Sequence, residues 1–375
     1  MENNNMFESL KKYRKDLHQI PELGFEEYKT KEYLLNVLEE YNCEITEIKT
    51  AILAFFEAKK ARYSGTVAFR CDMDGLPTIE ESNVSYRSKH PGIMHACGHD
   101  GHMAMLLGLA GELENIDLPY NVLLIFQPAE ESPGGAKTIV ESEILEKYDV
   151  KRIFALHLGP SKKPHTIASR PIEFMSKSSE IDITIKGLSA HCSTPHKGID
   201  ALYIACLYLK DLYEMEKTIL PETEFRLLKF GKMTSGTVRN AISDESKLYG
   251  TLRCFSQKNF DLMLNSLHQI AATYEDKFGC TFEIKHTEGY PPTINDPELF
   301  EMAKGCLSED FDFITLRKPS MASDDFSFFT EKIPGVYFFL GAGNTPPLHS
   351  NNFDFDESVL VTGVKAYIKL LELPL

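Results

Sequence analysis

Three apolar runs in the first 160 residues each end on side chains that can bind a cation, and this recurrence constrains the fold more than any single motif. Ser-Gly-Thr-Val-Ala-Phe-Arg-Cys at 64–71 runs into Asp72. Asn121–Phe126 is almost unbroken Val, Leu, Ile and Phe and leads into Gln127-Pro-Ala-Glu130-Glu131. Arg152-Ile-Phe-Ala-Leu ends on His157. Near-continuous apolar strands are covered on both faces, as in a parallel sheet flanked by helices. Open α/β sheets collect their sites at the carboxyl ends of such strands. The pattern predicts an α/β domain with its site along one edge of the sheet.

Between the first two runs lies the densest stretch, Met94-His-Ala-Cys-Gly-His-Asp-Gly-His102, with three histidines, a cysteine and an aspartate in nine residues. Cys97 and His99 are one residue apart, which puts both on one side of an extended or turn-like segment. Thiolate and imidazole form a donor pair that zinc, manganese, nickel or cobalt accepts. Gly98 and Gly101 let the backbone bend there. Asp72 reads equally as a site carboxylate or a turn residue. Glu130 and Glu131 follow an apolar strand, where an unpaired charge is costly and a cation would offset the cost. Neighbours on an extended chain point to opposite sides, so one glutamate can bind metal while the other serves as general base. His157 and His349, in Leu348-His349-Ser350, are further ligand candidates.

The length of 375 residues suggests two domains. Leu10, Tyr13, Leu17 and Ile20 keep helical spacing until Pro21, and the pattern resumes over Tyr33–Tyr41, with His18–Phe25 as a loop between. An Ala- and Leu-rich helix is expected over 102–114. From about residue 173 the texture changes, and Ile181–Lys186 alternates as a strand with one solvated face does. A helix at 198–216, strands at 225–232 and 245–254, a helix at 257–277 and a strand at 281–286 complete the order of a ferredoxin-like split βαβ unit. The expectation is a smaller α+β domain, 173–287, inserted into a catalytic domain made of 1–172 and 288–375. The returning part carries a helix at 297–307, a strand at 335–340 and a helix at 357–371.

A net charge of −15 argues against nucleic acid as a partner. No apolar run is long enough to span a bilayer. The polar start Met-Glu-Asn-Asn-Asn lacks the apolar core of a secretion signal, and the eight scattered cysteines form no Cys-x-x-Cys pair. A cytoplasmic protein with reduced thiols is expected. There is no Gly-x-Ser-x-Gly elbow for a serine hydrolase. A metal or redox sensor built on Cys97 would leave the paired glutamates without a purpose.

Taken together, His18-Gln-Ile-Pro-Glu-Leu-Gly-Phe, Arg70-Cys-Asp-Met-Asp, Met94–Asp100, Phe126-Gln-Pro-Ala-Glu-Glu, Ala155-Leu-His-Leu and Leu348-His resemble the aminoacylase, carboxypeptidase and N-acyl-amino-acid amidohydrolase group of dinuclear metallohydrolases. The nearest branch is that of hippurate and indole-acetyl-amino-acid hydrolases and bacterial N-acetyldiaminopimelate deacetylases. The resemblance covers essentially the whole chain. It implies a metallo-exopeptidase-like α/β catalytic domain, a mixed sheet covered by helices, with the inserted domain as lid and homodimer contact. It implies that Cys97, His99, Glu131, His157 and His349 hold one or two divalent metal ions, with Cys97 bridging. Glu130 is then the general base, and Asp72 orients a ligating imidazole. In the inserted domain His191 reaches the substrate carbonyl, and Asn240 and Arg253 contact substrate, a guanidinium being suited to a carboxylate. The implied substrate is a small N-acyl amino acid, N-acetyl-diaminopimelate foremost, with hippurate-type substrates and dipeptides as alternatives. Two departures bear on specificity. The lid loop reads Leu188-Ser-Ala-His-Cys-Ser where the branch has Gly-Gly-His-Ala-Ala, and Asp324 stands where it has glutamate.

Overall fold

The computed structural model describes residues 2–375, with side chains from residue 5 onward. The chain opens with α1 (Glu2–His18) and α2 (Tyr28–Leu38), whose Leu10, Leu17, Leu34 and Leu38 are fully buried. A hairpin of β1 (Glu44–Ile48) and β2 (Ala51–Phe56) follows, then β3 (Thr66–Asp72), α3 (His99–Leu113) and β4 (Asn121–Gln127). Next come α4 (Ala136–Glu141), α5 (Ile144–Lys147), β5 (Val150–Pro160), β6 (Ile167–Ser169) and β7 (Ile172–Met175). The middle of the chain forms β8 (Lys177–Lys186), α6 (Ala201–Thr218), β9 (Arg226–Ser235), β10 (Glu245–Cys254), α7 (Gln257–Phe278) and β11 (Thr281–His286). The last elements are β12 (Thr293–Asn295), α8 (Pro297–Leu307), β13 (Phe313–Thr315), α9 (Ser327–Thr330), β14 (Gly335–Gly343) and α10 (Ser358–Leu370).

The chain divides into two compact units. The first comprises 1–174, 294–318 and 324–375, and the second 175–293 with 319–323. The first is built on an eight-stranded sheet in the order β1-β2-β4-β3-β5-β14-β6-β13. Its centre, β4-β3-β5-β14, is parallel, whereas β2 and β6 pair antiparallel with their neighbours β4 and β14. All of β3 is buried, as is β4 beyond its first residue, which is why these strands read as unbroken apolar runs. Register sets Asp72, the last residue of β3, beside Gln127 and pairs Arg70 with Ala155, so Asp72 and His157, three residues before the end of β5, lie toward the same edge of the sheet. Helix α3 packs on β3, β4 and β5 and is itself covered by α1 and α10. Leu106, Leu109, Leu124, Phe126, Phe154, Val364 and Tyr367 belong to this core.

The second unit is a four-stranded antiparallel sheet, β11-β8-β10-β9, with α6 and α7 packed on it. Ile181, Ile183 and Ile185 of β8 are buried while Glu180, Asp182 and Lys186 are exposed, the alternation visible in the sequence. The expected 173–287 domain takes in a further stretch, because Pro319–Ser323 belongs to this unit. Ser176 N donates to Ala322 O at 2.8 Å, and Arg253 Nη1 donates to Met321 O. Among the described residues no helix is long and apolar enough to cross a membrane, and each of the eight cysteines is unpaired.

Helix α3 begins at His99, not at residue 102 as its apolar composition suggested. Gly98 caps it in the left-handed region, φ 86°, where a Cβ would lie 2.8 Å from Leu158 Cδ1. Only glycine meets both conditions without strain. The early start places His99 and His102 one turn apart on the same helical face.

Candidate metal centre

The residues singled out at the sheet edge converge. Cys97 Sγ lies 3.5 Å from His157 Nε2. Cys97, Glu131 and His349 have donor atoms within 4.8 Å of one another, as do His99, Glu130 and Glu131, and as do Asp72, His99, His102 and His157. His349 Nε2 sits 3.0 Å from Glu131 Oε1 and is half-exposed, whereas Cys97, His99, Glu130 and His157 are buried.

Hydrogen bonds fix which nitrogen each ring presents. His99 Nδ1 donates to Asp74 O at 2.8 Å and lies 3.2 Å from Asp74 Oδ1. His157 Nδ1 donates to Leu158 O at 2.8 Å. Both rings therefore turn Nε2 inward, the arrangement of imidazoles held for a metal. His99 Nε2 is fully buried and has no hydrogen-bond partner; Asp72 Oδ1 lies 3.7 Å from it and Glu130 Oε2 3.8 Å. A buried nitrogen facing two carboxylates across gaps too long for hydrogen bonds fits a cation between them.

Electrostatics lead to the same conclusion. Burial alone would lower the pKa of His99, but Asp72 and Asp74 overturn it and raise the ring to about 10. Burial pushes the Cys97 thiol up, with Glu131, Glu130 and Asp72 adding to it, a preference that a positive charge in the site reverses. The two adjacent glutamates diverge. Burial holds Glu130 well above the usual carboxylate range, with Asp324, Glu131 and Asp325 reinforcing it. Glu131 is held low against its burial by His349 and His99.

Behind the site, the fully buried Arg70 donates to Asp72 Oδ2 at 3.0 Å, to Asp325 Oδ1 at 3.1 Å and to Gln127 Oε1 at 2.8 Å. Gln127 Nε2 and Ala136 N in turn donate to Asp325 Oδ2, at 2.9 and 2.8 Å. Asp324, the residue that departs from the branch, accepts from Tyr337 Oη at 2.5 Å.

The part assigned to Asp72 needs correction. The imidazole it hydrogen-bonds is His102, with Nδ1 at 2.6 Å, and His102 Nε2 accepts from Leu158 N at 2.9 Å. The residue behind His99 is Asp74. Sequence reasoning missed both His102 and Asp74. The available signal was the three-residue spacing from His99, readable only with the helix begun three residues earlier.

In the second unit His191 and Asn240 are exposed and lie on paired loops, where Cys192 N donates to Asn240 O at 3.0 Å. His191 Nδ1 is 2.7 Å from Ser193 Oγ. Arg253 is on β10, half-buried.

The profile of peptidase family M20/M25/M40 matches residues 68–373. The chain belongs to this family. It is 34% identical over 371 residues to an N-acetyldiaminopimelate deacetylase of Oceanobacillus iheyensis, covering 98% of this chain and 99% of that protein. It is 35% identical over 368 residues to one of Streptococcus uberis, covering 95% and 97%. Among solved structures, the Bacillus subtilis protein YXEP, described as a dinuclear metal binding peptidase of this family, superposes with TM-score 0.85 at 28% identity over 98% of each chain. A protein of methicillin-resistant Staphylococcus aureus superposes with TM-score 0.89 at 27% identity, covering 99% of this chain and 97% of that one. This M20 chain is a metal-dependent amidohydrolase, and divalent metal is its cofactor.

Proposed function

We propose that the protein hydrolyses the amide of N-acetyl-diaminopimelate, releasing acetate and diaminopimelate for lysine and cell-wall synthesis. The substrate rests on the relatives named N-acetyldiaminopimelate deacetylase, about one third identical over nearly the whole chain. The reaction rests on one observation: adjacent glutamates hold different environments beside His99.

Cys97, His99, Glu131, His157 and His349 are the residues that would hold one or two divalent ions, and a bound ion would supply Lewis-acid polarisation of the carbonyl and a lowered water pKa. Glu130, buried next to His99, takes a proton from the attacking water and returns it to the departing amine. Asp74 fixes the tautomer of His99 and Leu158 that of His157. Arg70 and His102 keep the Asp72 carboxylate turned toward His99. His191 is assigned to the developing oxyanion, a task typically worth ~100- to 1000-fold in rate, and Asn240 and Arg253 to the polar groups of the substrate.

The lid loop departs from the branch at Ser-Ala-His191-Cys-Ser, which bears on substrate preference, and the second reading is a broader N-acyl-amino-acid hydrolase. Incubating the metal-loaded protein with N-acetyl-diaminopimelate, hippurate and a dipeptide separates the two. The first reading expects kcat/KM highest for N-acetyl-diaminopimelate; a preference for hippurate or the dipeptide would overturn it.

A further inference from the structure

The loop from His18 to Glu27 lies outside the stretch matched by the family profile, yet it fastens the segments that carry the site. His18 Nδ1 lies 2.8 Å from Asp100 Oδ2, in the first turn of α3 next to His99. Glu22 O accepts from Gly75 N at 2.7 Å, directly after the Asp74 that backs His99. Glu27, fully buried, accepts from Ala129 N through Oε1 at 2.9 Å and from Thr50 Oγ1 through Oε2 at 2.7 Å. A Cβ on Gly24 would lie 2.2 Å from Ser132 O and 2.8 Å from Ala129 Cβ, so this loop and the glutamate loop are in direct backbone contact.

Ala129 is the turning point of that second loop. Its φ is 53°, a left-handed conformation that a non-glycine residue holds only when its surroundings impose it. Its carbonyl accepts from Gly134 N and Gly135 N, both at 3.0 Å, and its amide is held by Glu27. Past this turn the next two side chains part, Glu130 toward Asp324 and Asp325 and Glu131 toward Cys97 and His349. A residue needed only for packing would not be a buried carboxylate, since burying one is unfavourable unless its hydrogen bonds are needed.

We infer that Glu27 is a positioning residue whose carboxylate, by holding the Ala129 amide, fixes the turn that aims Glu130 and Glu131 at different partners. The inference rests on the roles assigned above to those two glutamates. It is a matter of reach, not charge: glutamine spans the same distance and can serve both Ala129 N and Thr50 Oγ1, while aspartate falls one methylene short.

The test compares Glu27→Gln, Glu27→Asp and Glu27→Ala in the metal-loaded enzyme with N-acetyl-diaminopimelate, and follows amide hydrogen exchange at Ala129 in the metal-free protein. Expected are kcat values about 10- to 100-fold down for E27D and E27A with KM within about twofold, as a small misplacement of a catalytic group produces. Ala129 exchange is faster in both, and E27Q returns kcat to within about threefold of the parent. If E27A does not fold, E27D carries the comparison. Parental kcat and exchange in E27D, or an E27Q as impaired as E27A, overturns the inference. Turnover retained by Glu130→Gln would instead overturn the base assignment, and the exchange measurement, free of metal and substrate, would still decide the case of Glu27.

Discussion

His102 gives both ring nitrogens to the protein, Nδ1 to Asp72 Oδ1 at 2.6 Å and Nε2 to the amide of Leu158 at 2.9 Å. A ring so occupied has no lone pair left for a metal, whereas His99, one turn earlier, keeps Nε2 bare. Two histidines of one motif therefore part in function. His99→Ala is expected to lower bound metal by at least one equivalent in elemental analysis. His102→Gln is expected to keep the metal and lose stability instead, because it leaves the Leu158 amide and Asp72 poorly partnered, by about 1–3 kcal/mol in urea unfolding.

The neighbouring glutamates divide in the same way. Glu130→Gln removes the proposed proton carrier and leaves the proposed donors Cys97, His99, Glu131, His157 and His349 in place. Its kcat should fall by about 100- to 10,000-fold with metal content unchanged. Glu131→Gln should lose both, since Glu131 lies with Cys97 and His349. Parallel metal analysis and initial rates on the two variants separate the roles.

Much of this was legible in the sequence because burial and function left the same mark. A strand covered on both faces must be apolar throughout, so Asp72, Glu130 and His157, which interrupt or closely follow such runs, stood out. His102 and Asp74 did not, because their importance lies in which nitrogen or oxygen meets which partner, and spacing carries no such information. Sequence reasoning missed the β1–β2 hairpin: β1 is largely solvent-facing, and β2 was passed over although it is an apolar run like those of β3 and β4. Pro319–Ser323 joins the second unit through the backbone of Ser176 and the side chain of Arg253, contacts between residues more than 60 positions apart that no local pattern records. Glu27 was hidden for the same reason, its partner Ala129 lying 102 positions away.

Gly98 ties Cys97 to the start of α3, and its φ of 86° and close approach to Leu158 leave no room for a side chain. Gly98→Ala should cost about 2 kcal/mol, the strain of a left-handed non-glycine residue plus the displaced Leu158. The thermal midpoint of the metal-free protein reports it, and an unchanged midpoint would show that the turn can relax.

Glu27 also sets a pH dependence. Burial raises its carboxyl from 4.5 to about 7 in the folded protein, against hydrogen bonds from Thr50 and Ala129 that pull it down. The folded state then holds more protons than the unfolded one between these two values. The contribution of Glu27 to stability is whole below about pH 4.5 and is lost as pH rises through about 7. The loss is about 3–4 kcal/mol, from about 1.4 kcal/mol per pH unit between 4.5 and about 7. Glu27→Gln has no proton to lose, so urea unfolding at pH 8 should find it more stable than the parent relative to their difference at pH 5.

Cys97 and the four side chains gathered with it are the proposed holders of a divalent cation. The most direct measurement is a cobalt titration of the metal-free protein, followed by the thiolate-to-cobalt charge-transfer band in the near ultraviolet. The band should appear with the parent and with Glu130→Gln, saturate at one or two equivalents, and vanish with Cys97→Ser. A parent protein that binds no cobalt, or a band that persists in the serine variant, would rule out a thiolate-ligated cation at Cys97.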